Sequence, residues 1–259
     1  MRILNLNVNC FGGSENHLME HKKFNYYGKE VIDWNSWSKI DKKKQVKDFC
    51  SYLEKKSPNI VVLQEFELNN SEETYTFIDC MQKRGYELIG DIPKFEVSMT
   101  VMFILLNNNF SYEFIKSPHK RSARSCSIRI NDCIIYGTHV PPEYDEGFWN
   151  ELINFYDKFK NENLILIGDF NAYSEGTKGK SKFNELLSKE AIDVWLKRGN
   201  SDSTPTEKKY KGRLDYIIAS PKMYENICWM DIDYTPMNKN ISDHAALITE
   251  INEKSYYFI

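Results

Sequence analysis

The 259-residue sequence predicts an α+β fold of four layers, α/β/β/α. Two mixed, mostly antiparallel sheets pack face to face, with helices on their outer sides. Three observations carry this. Apolar runs of strand length outnumber the few long amphipathic patterns. Two continuously apolar runs, Ile60–Leu63 and Leu164–Ile167, each follow a helical pattern. Short turns, Asn107-Asn108-Asn109 and Asn131-Asp132, separate other runs as antiparallel hairpins do.

In chain order, Leu4-Asn5-Leu6 opens as a strand. The segment from Cys10 to Trp37 then fits no regular period, and we read a loop insertion over about residues 10–38. Val46, Phe49, Cys50 and Leu53 recur at helical spacing, which predicts a helix from Ile40 to Lys56. Ser57-Pro58-Asn59 ends it and Ile60–Leu63 follows as a buried strand. Strands are expected at Val97–Leu105, Phe110–Ile115, Ser125–Ile130 and Cys133–Thr138. Phe148, Trp149, Leu152, Ile153, Tyr156 and Phe159 form a second helix face; Asn161-Glu162-Asn163 breaks it before Leu164–Ile167. Further strands are expected at Leu214–Ala219, Ile227–Tyr234 and Ala245–Ile251. The repeated helix–strand unit suggests two related halves. No Pro/Gly/Ser-rich linker divides the chain, so one domain is expected over 1–259.

Composition narrows the function classes. With 41% hydrophobic and 27% charged residues the chain is neither a disordered polymer nor a bundle of membrane spans. A net charge of −3 excludes a whole-protein basic field for wrapping DNA, though not a local basic groove. The start, Met1-Arg2-Ile3-Leu4, lacks the apolar segment of a secretory signal. The six cysteines form no CxxC pair and read as core thiols, so a cytoplasmic location is expected.

Polar residues interrupt the apolar runs at particular places. Strand runs lead into Asn7-Val8-Asn9, Gln64-Glu65, His139 and Asp169-Phe170-Asn171, while Asp215 and Asp243-His244 precede two others. C-terminal ends of some strands and N-terminal ends of antiparallel neighbours share one sheet edge, so these groups can converge. Glu65, Asp169, Asp215 and Asp243 would then repel, by about 4 kcal/mol per pair at ~4 Å and an effective dielectric near 20. Such a cluster calls for a cation. Oxygen donors without paired cysteines select Mg²⁺ or Mn²⁺ over zinc, and hard-ion sites suit phosphate-ester cleavage.

The same pieces, LNVN at Leu6–Asn9, LQE at Leu63–Glu65, THVP at Thr138–Pro141, GDFN at Gly168–Asn171, RLDYI at Arg213–Ile217 and SDH at Ser242–His244, resemble the endonuclease/exonuclease/phosphatase superfamily. This superfamily includes deoxyribonuclease I-like and exonuclease III-like phosphoesterases. Each motif alone is common; six in the family's order are not. The resemblance implies Glu65 as principal metal ligand, with Asn7, Asn9 and Asp243 near the ion. It implies Asp169 and Asn171 handling the attacking water, His244 facing the phosphate with Asp215 behind it, and His139 on the opposite side. Asn9 stands where many members have Asp, and His139 where apurinic endonucleases have Tyr, which disfavours abasic-site repair. The implied activity is metal-dependent phosphodiester hydrolysis with DNA or RNA as partner. A phosphatase or phospholipase-type hydrolase of inositol phosphates, sphingomyelin or another small phosphoester, or a silent binding domain, are the alternatives. No obligate protein partner is inferred.

Several residues read two ways. Arg121 and Arg124, with Lys120, grip a phosphate backbone or simply lie on a solvated face. Trp34 and Trp37 stack bases or anchor the early loop. His17 and His21 lack a third metal ligand and read as a surface pair; Lys42-Lys43-Lys44 reads as a solvated helix face.

Overall fold

The computed structural model describes residues 1–11, 13, 22–24, 30–32, 41–66, 72–89, 99–105, 111–118, 122–172, 175–210 and 212–252, with backbone alone at 22–24, 30–32, 99 and 122. The first six-stranded sheet contains β1 (Arg2–Asn7), β4 (Ile60–Phe66), β5 (Tyr86–Ile89), β6 (Met99–Leu105), β13 (Ile227–Asp233) and β14 (Ala246–Ile251), in the order β13-β14-β1-β4-β6-β5. The second contains β7 (Tyr112–Ile115), β8 (Ser125–Ile130), β9 (Cys133–His139), β10 (Asn163–Asp169), β11 (Ile192–Asp193) and β12 (Asp215–Ala219), in the order β11-β12-β10-β9-β8-β7. Both sheets are mixed, as predicted. Each holds one parallel pair, β1 with β4 and β9 with β10, flanked by antiparallel partners.

Each parallel pair is joined through a long helix. In the first, Asp41 accepts a hydrogen bond from Lys44 N at 3.0 Å and caps the helix Lys42–Lys56. That helix ends at Ser57, whose φ of 46° turns the chain and whose N–H reaches Leu53 O. Its buried side chains Val46, Phe49, Cys50 and Leu53 pack with Leu4, Leu6, Val61 and Leu63 on the outer face of the first sheet. In the second, Asp145 caps the helix Glu146–Phe159, and Trp149, Leu152 and Tyr156 cover Leu164 and Leu166. Full burial of each such side chain contributes about 1.5–3 kcal/mol. The opposite strand faces, with Ile3, Val62, Ile135, Ile165, Ile167 and Ile217, form the core between the sheets.

Four features depart from the sequence reading. The strands on either side of Asn107–Asn109 do not form a hairpin: β6 pairs with β4 and β5, while β7 pairs with β8 in the other sheet. Buried β6 belongs in a sheet interior, whereas half-exposed β7 suits an edge. The early segment is not wholly irregular, since β2 (Lys22–Phe24) pairs with β3 (Glu30–Ile32). Trp34, Trp37, His17, His21, Lys120 and Arg121 lie outside the described residues. The helices Glu72–Lys83 and Lys178–Leu187 and strand β5 were not read from the sequence. Finally, Cys50 and Cys80 are not free thiols: they form a disulfide between two packed helices, while Cys10, Cys126 and Cys133 are buried thiols and Cys228 is exposed. That removes cysteine usage as an argument for a reducing compartment. Among the described residues no helix is long and apolar enough to cross a membrane.

Gly168 sets how closely β9 and β10 approach. Its φ is 151°, and a Cβ there would lie 1.9 Å from the Thr138 carbonyl oxygen. Gly168→Ala should therefore destabilise the fold by more than about 3 kcal/mol, read as a lowered denaturant midpoint.

Candidate active site

Strand register brings the polar residues together. Asp169 lies abreast of His139 on β9 and of Asp215 on β12. All three continue the inward-facing rows of the second sheet, where the dry core gives way to the rim. On the first sheet Asn7 ends β1 abreast of Gln64 on β4. Glu65 needs a further device. Strict alternation would turn it with Leu63 toward the outer helices. Instead its φ of 50° and a bulge between Leu63 and Phe66 reverse the parity, and Phe66 packs on the helix side.

The side chains meet closely. Asn7 Nδ2 donates to Glu65 Oε1 and to Asp169 Oδ2, each at 3.1 Å. Asp169 Oδ1 accepts from Asn171 N at 3.0 Å, and Asn171 Nδ2 donates to Val140 O at 2.8 Å. The amide oxygen of Asn171 accepts no hydrogen bond among the described residues. His139 Nε2 stands 3.8 Å from both Glu65 Oε1 and Asp169 Oδ2. Arg124 Nη1 lies 3.4 Å from His139 Nδ1. Arginine only donates, so Nδ1 accepts and the proton of a neutral ring sits on Nε2, toward the carboxylates. Burial, then Arg124 and His244, push the His139 imidazolium down to about 3, which keeps the ring neutral.

His244 is the opposite case. Its Nδ1 is 2.8 Å from Asp215 Oδ2, and both residues are buried. Burial works against its charge, yet Asp215, Asp243 and Asp169 outweigh it and hold the ring well above the ordinary histidine range. Thr206 Oγ1 accepts the Leu214 and Asp215 N–H groups, and Ser242 Oγ accepts from His244 N while donating to Asn7 O. Burial pushes the Asp243 carboxyl up to about 6; His244 opposes this, and Glu65 and Glu207 add to it. Asp169 is likewise raised, by burial first and by Asp215 second.

Ligand atoms of Asp169, Asp215 and His244 lie within 4.8 Å of one another. In that trio one donor is an imidazole nitrogen, and His244 Nδ1 is already bonded to Asp215, which leaves fewer oxygen donors for a hard ion. The oxygen donors fit a hard cation better on the Glu65 side. There Asn7 Nδ2 donates to Glu65 Oε1, and the Glu65 charge adds to the burial that raises Asp243, so a divalent ion held between these oxygens would offset their charge. Asn9, the other residue expected near the ion, adjoins Asn7. Its Nδ2 donates to Gly13 O and its N–H to Asn7 Oδ1, so it supports Asn7 and makes no hydrogen bond to the carboxylates. Arg124 is brought to His139. Thr206 was missed, since nothing in its loop sequence signals a bond to Asp215.

The model of the Endonuclease/Exonuclease/phosphatase family matches residues 34–244. The chain belongs to this family. Solved structures similar to it include an AP endonuclease from Archaeoglobus fulgidus, at 16% identity and TM-score 0.68, covering 98% of this chain and 100% of that one. A variant of the 3' phosphatase NExo from Neisseria, bound to product DNA hairpin, has 15% identity and TM-score 0.67, covering 98% and 100%. The endonuclease domain of TRAS1, a telomere-specific non-LTR retrotransposon, has 13% identity and TM-score 0.65, covering 98% and 99%. At these identities the likeness establishes the two-sheet fold of the endonuclease/exonuclease/phosphatase family. Comparison with curated proteins gives no match.

Asn7 separates two carboxylates with a neutral donor. Asn7→Asp would put a third charge between them, with pair repulsions of roughly 4 kcal/mol at ~4 Å. Its thermal midpoint should fall in EDTA and recover with Mg²⁺ more than that of the wild type.

Proposed function

We propose that this protein is a divalent-metal-dependent phosphodiesterase that cleaves DNA or RNA by in-line attack of water. The single observation carrying this reading is the buried Asp215–His244 pair standing beside Asp169 and Glu65 at one rim. Family membership supports phosphoester hydrolysis. The nuclease reading draws support from relatives named as endonucleases and from one bound to a DNA hairpin.

Glu65, Asp243 and Asn7 would hold Mg²⁺ or Mn²⁺, since all offer oxygen and none a thiolate. When bound, such an ion polarises a phosphoryl oxygen and offsets its developing negative charge. The chain's own groups do the rest. Asp169, raised toward neutrality by burial and Asp215, suits acceptance of a proton from the attacking water. Asn171, fixed through its amide nitrogen, presents its oxygen to orient that water. His244 offers Nε2 to the phosphate as a charged donor, with Asp215 fixing ring orientation through Nδ1. His139 turns Nε2–H toward the same space, and Arg124, placed against His139 Nδ1, orients that ring and stays an expected substrate contact. Arg121, Trp34 and Trp37 remain expected substrate contacts.

The test is a panel of single- and double-stranded DNA, RNA and inositol phosphates with Mg²⁺ or Mn²⁺. Polynucleotide cleavage should be lost in EDTA and fall about 10²–10⁴-fold in His244→Ala. Inorganic phosphate released from inositol phosphates, with polynucleotides untouched, would make the protein a phosphatase. Equal inactivity of wild type and variant on every substrate would leave a binding domain.

A further inference from the structure

We propose that Tyr144 and Lys178 form a platform at the rim of the cleft that stacks an unpaired base next to the scissile phosphate. This rests on the nuclease reading and narrows its substrate to single-stranded or frayed nucleic acid. Tyr144 follows His139 by five positions, in the loop between β9 and the helix Glu146–Phe159. Lys178 opens the helix that follows β10. Both loops leave the carboxyl ends of one parallel strand pair, where Asp169 and His139 lie abreast. The start of that helix lies close to the site: a Cβ at Gly179 would stand 3.7 Å from the Asn171 carbonyl oxygen.

The pair combines an exposed ring with a lysine. Tyr144 is 39% exposed, whereas the neighbouring aromatics Phe148 and Trp149 are buried. Lys178 Nζ lies 5.4 Å from the Tyr144 ring centroid. Lys180, Lys182 and Lys189 each face a carboxylate, but Lys178 has no ion pair among the described residues. A part-exposed ring with an ammonium over it that has no ion pair among the described residues matches a base beside its phosphate. Bases inside a duplex are already stacked on their neighbours and cannot offer a face to the ring.

A substrate-by-variant comparison tests this. Single-stranded oligonucleotide is compared with a chain of equal phosphodiester number whose sugars carry no bases. Wild type should prefer the base-bearing chain in kcat/KM by about 5- to 160-fold, the range that base–aromatic stacking supplies. Tyr144→Leu should erase that preference, Tyr144→Trp should keep it, and Lys178→Gln should flatten the salt dependence by about one unit of slope. Thermal midpoints of the variants separate lost stacking from lost folding. Equal loss on both chains in Tyr144→Leu, or no loss on either, overturns the platform while leaving the nuclease intact. Failure of wild type on both chains, with turnover of another phosphoester, overturns the nuclease reading and the platform with it.

Discussion

The rim depends on one register: Asp169 sits abreast of His139 on one side and Asp215 on the other. A slip of one residue in β10 would turn Asp169 into the helix layer and bring an apolar residue to the cleft. The register is held below by Ile165, Ile167 and Ile217 in the core between the sheets. It also needs two glycines. A Cβ at Gly137 would stand 2.6 Å from Val62 Cγ1 in the facing sheet, and Gly168 allows the closest approach of β9 to β10. The apolar core therefore does the positioning, and the glycines let the charged groups come near enough to interact.

Much of this was legible in the chain because strand periodicity and motif placement agree. Apolar runs that stop at Asn7, His139 and Asp169 are the C-terminal ends of the two parallel pairs, as the recurrence of helix–strand units suggested. What escaped depended on contacts between distant segments. Parity alone assigns Glu65 to the wrong face, and only its bulge corrects this; a bulge leaves no mark in the run Val61-Val62-Leu63-Gln64-Glu65. Cys50 and Cys80 lie thirty residues apart without a spacing motif, and they meet because two helices pack. The Asn107–Asn109 turn reads locally as a hairpin, yet burial sends its flanking strands to different sheets.

Below the rim the polarity falls in steps. Gln64 Nε2 donates to Asn5 Oδ1 at 2.8 Å, with both side chains wholly buried in line with Ile3 and Val62. Asn5 Nδ2 and Gln64 Oε1 have no hydrogen-bond partner among the described residues. Such groups cost stability in a protein core. With Asn5 one step below Asn7 in the inward row and Gln64 bonded to it, the charged rim has a polar floor, which lessens the desolvation that the carboxylates would meet on hydrocarbon alone.

The two sheets divide the labour in the proposed site. On that proposal the first would supply the cation donors Asn7, Glu65 and Asp243, and the second His139, Asp169 and Asp215 for proton handling. Polar contacts join them, among them Asn7 to Asp169 at 3.1 Å, and His244, entering β14 of the first sheet, to Asp215 of the second at 2.8 Å. The hydrophobic packing between the sheets sets the distance between ion donors and proton acceptor, so a core substitution that shifts one sheet would act on chemistry without touching a polar residue. The charged contact between Asp215 and His244 resists such a shift, because separating them would leave two buried charges unpaired. The same pair that orients the imidazole thus clamps the sheets at the edge where alignment matters most.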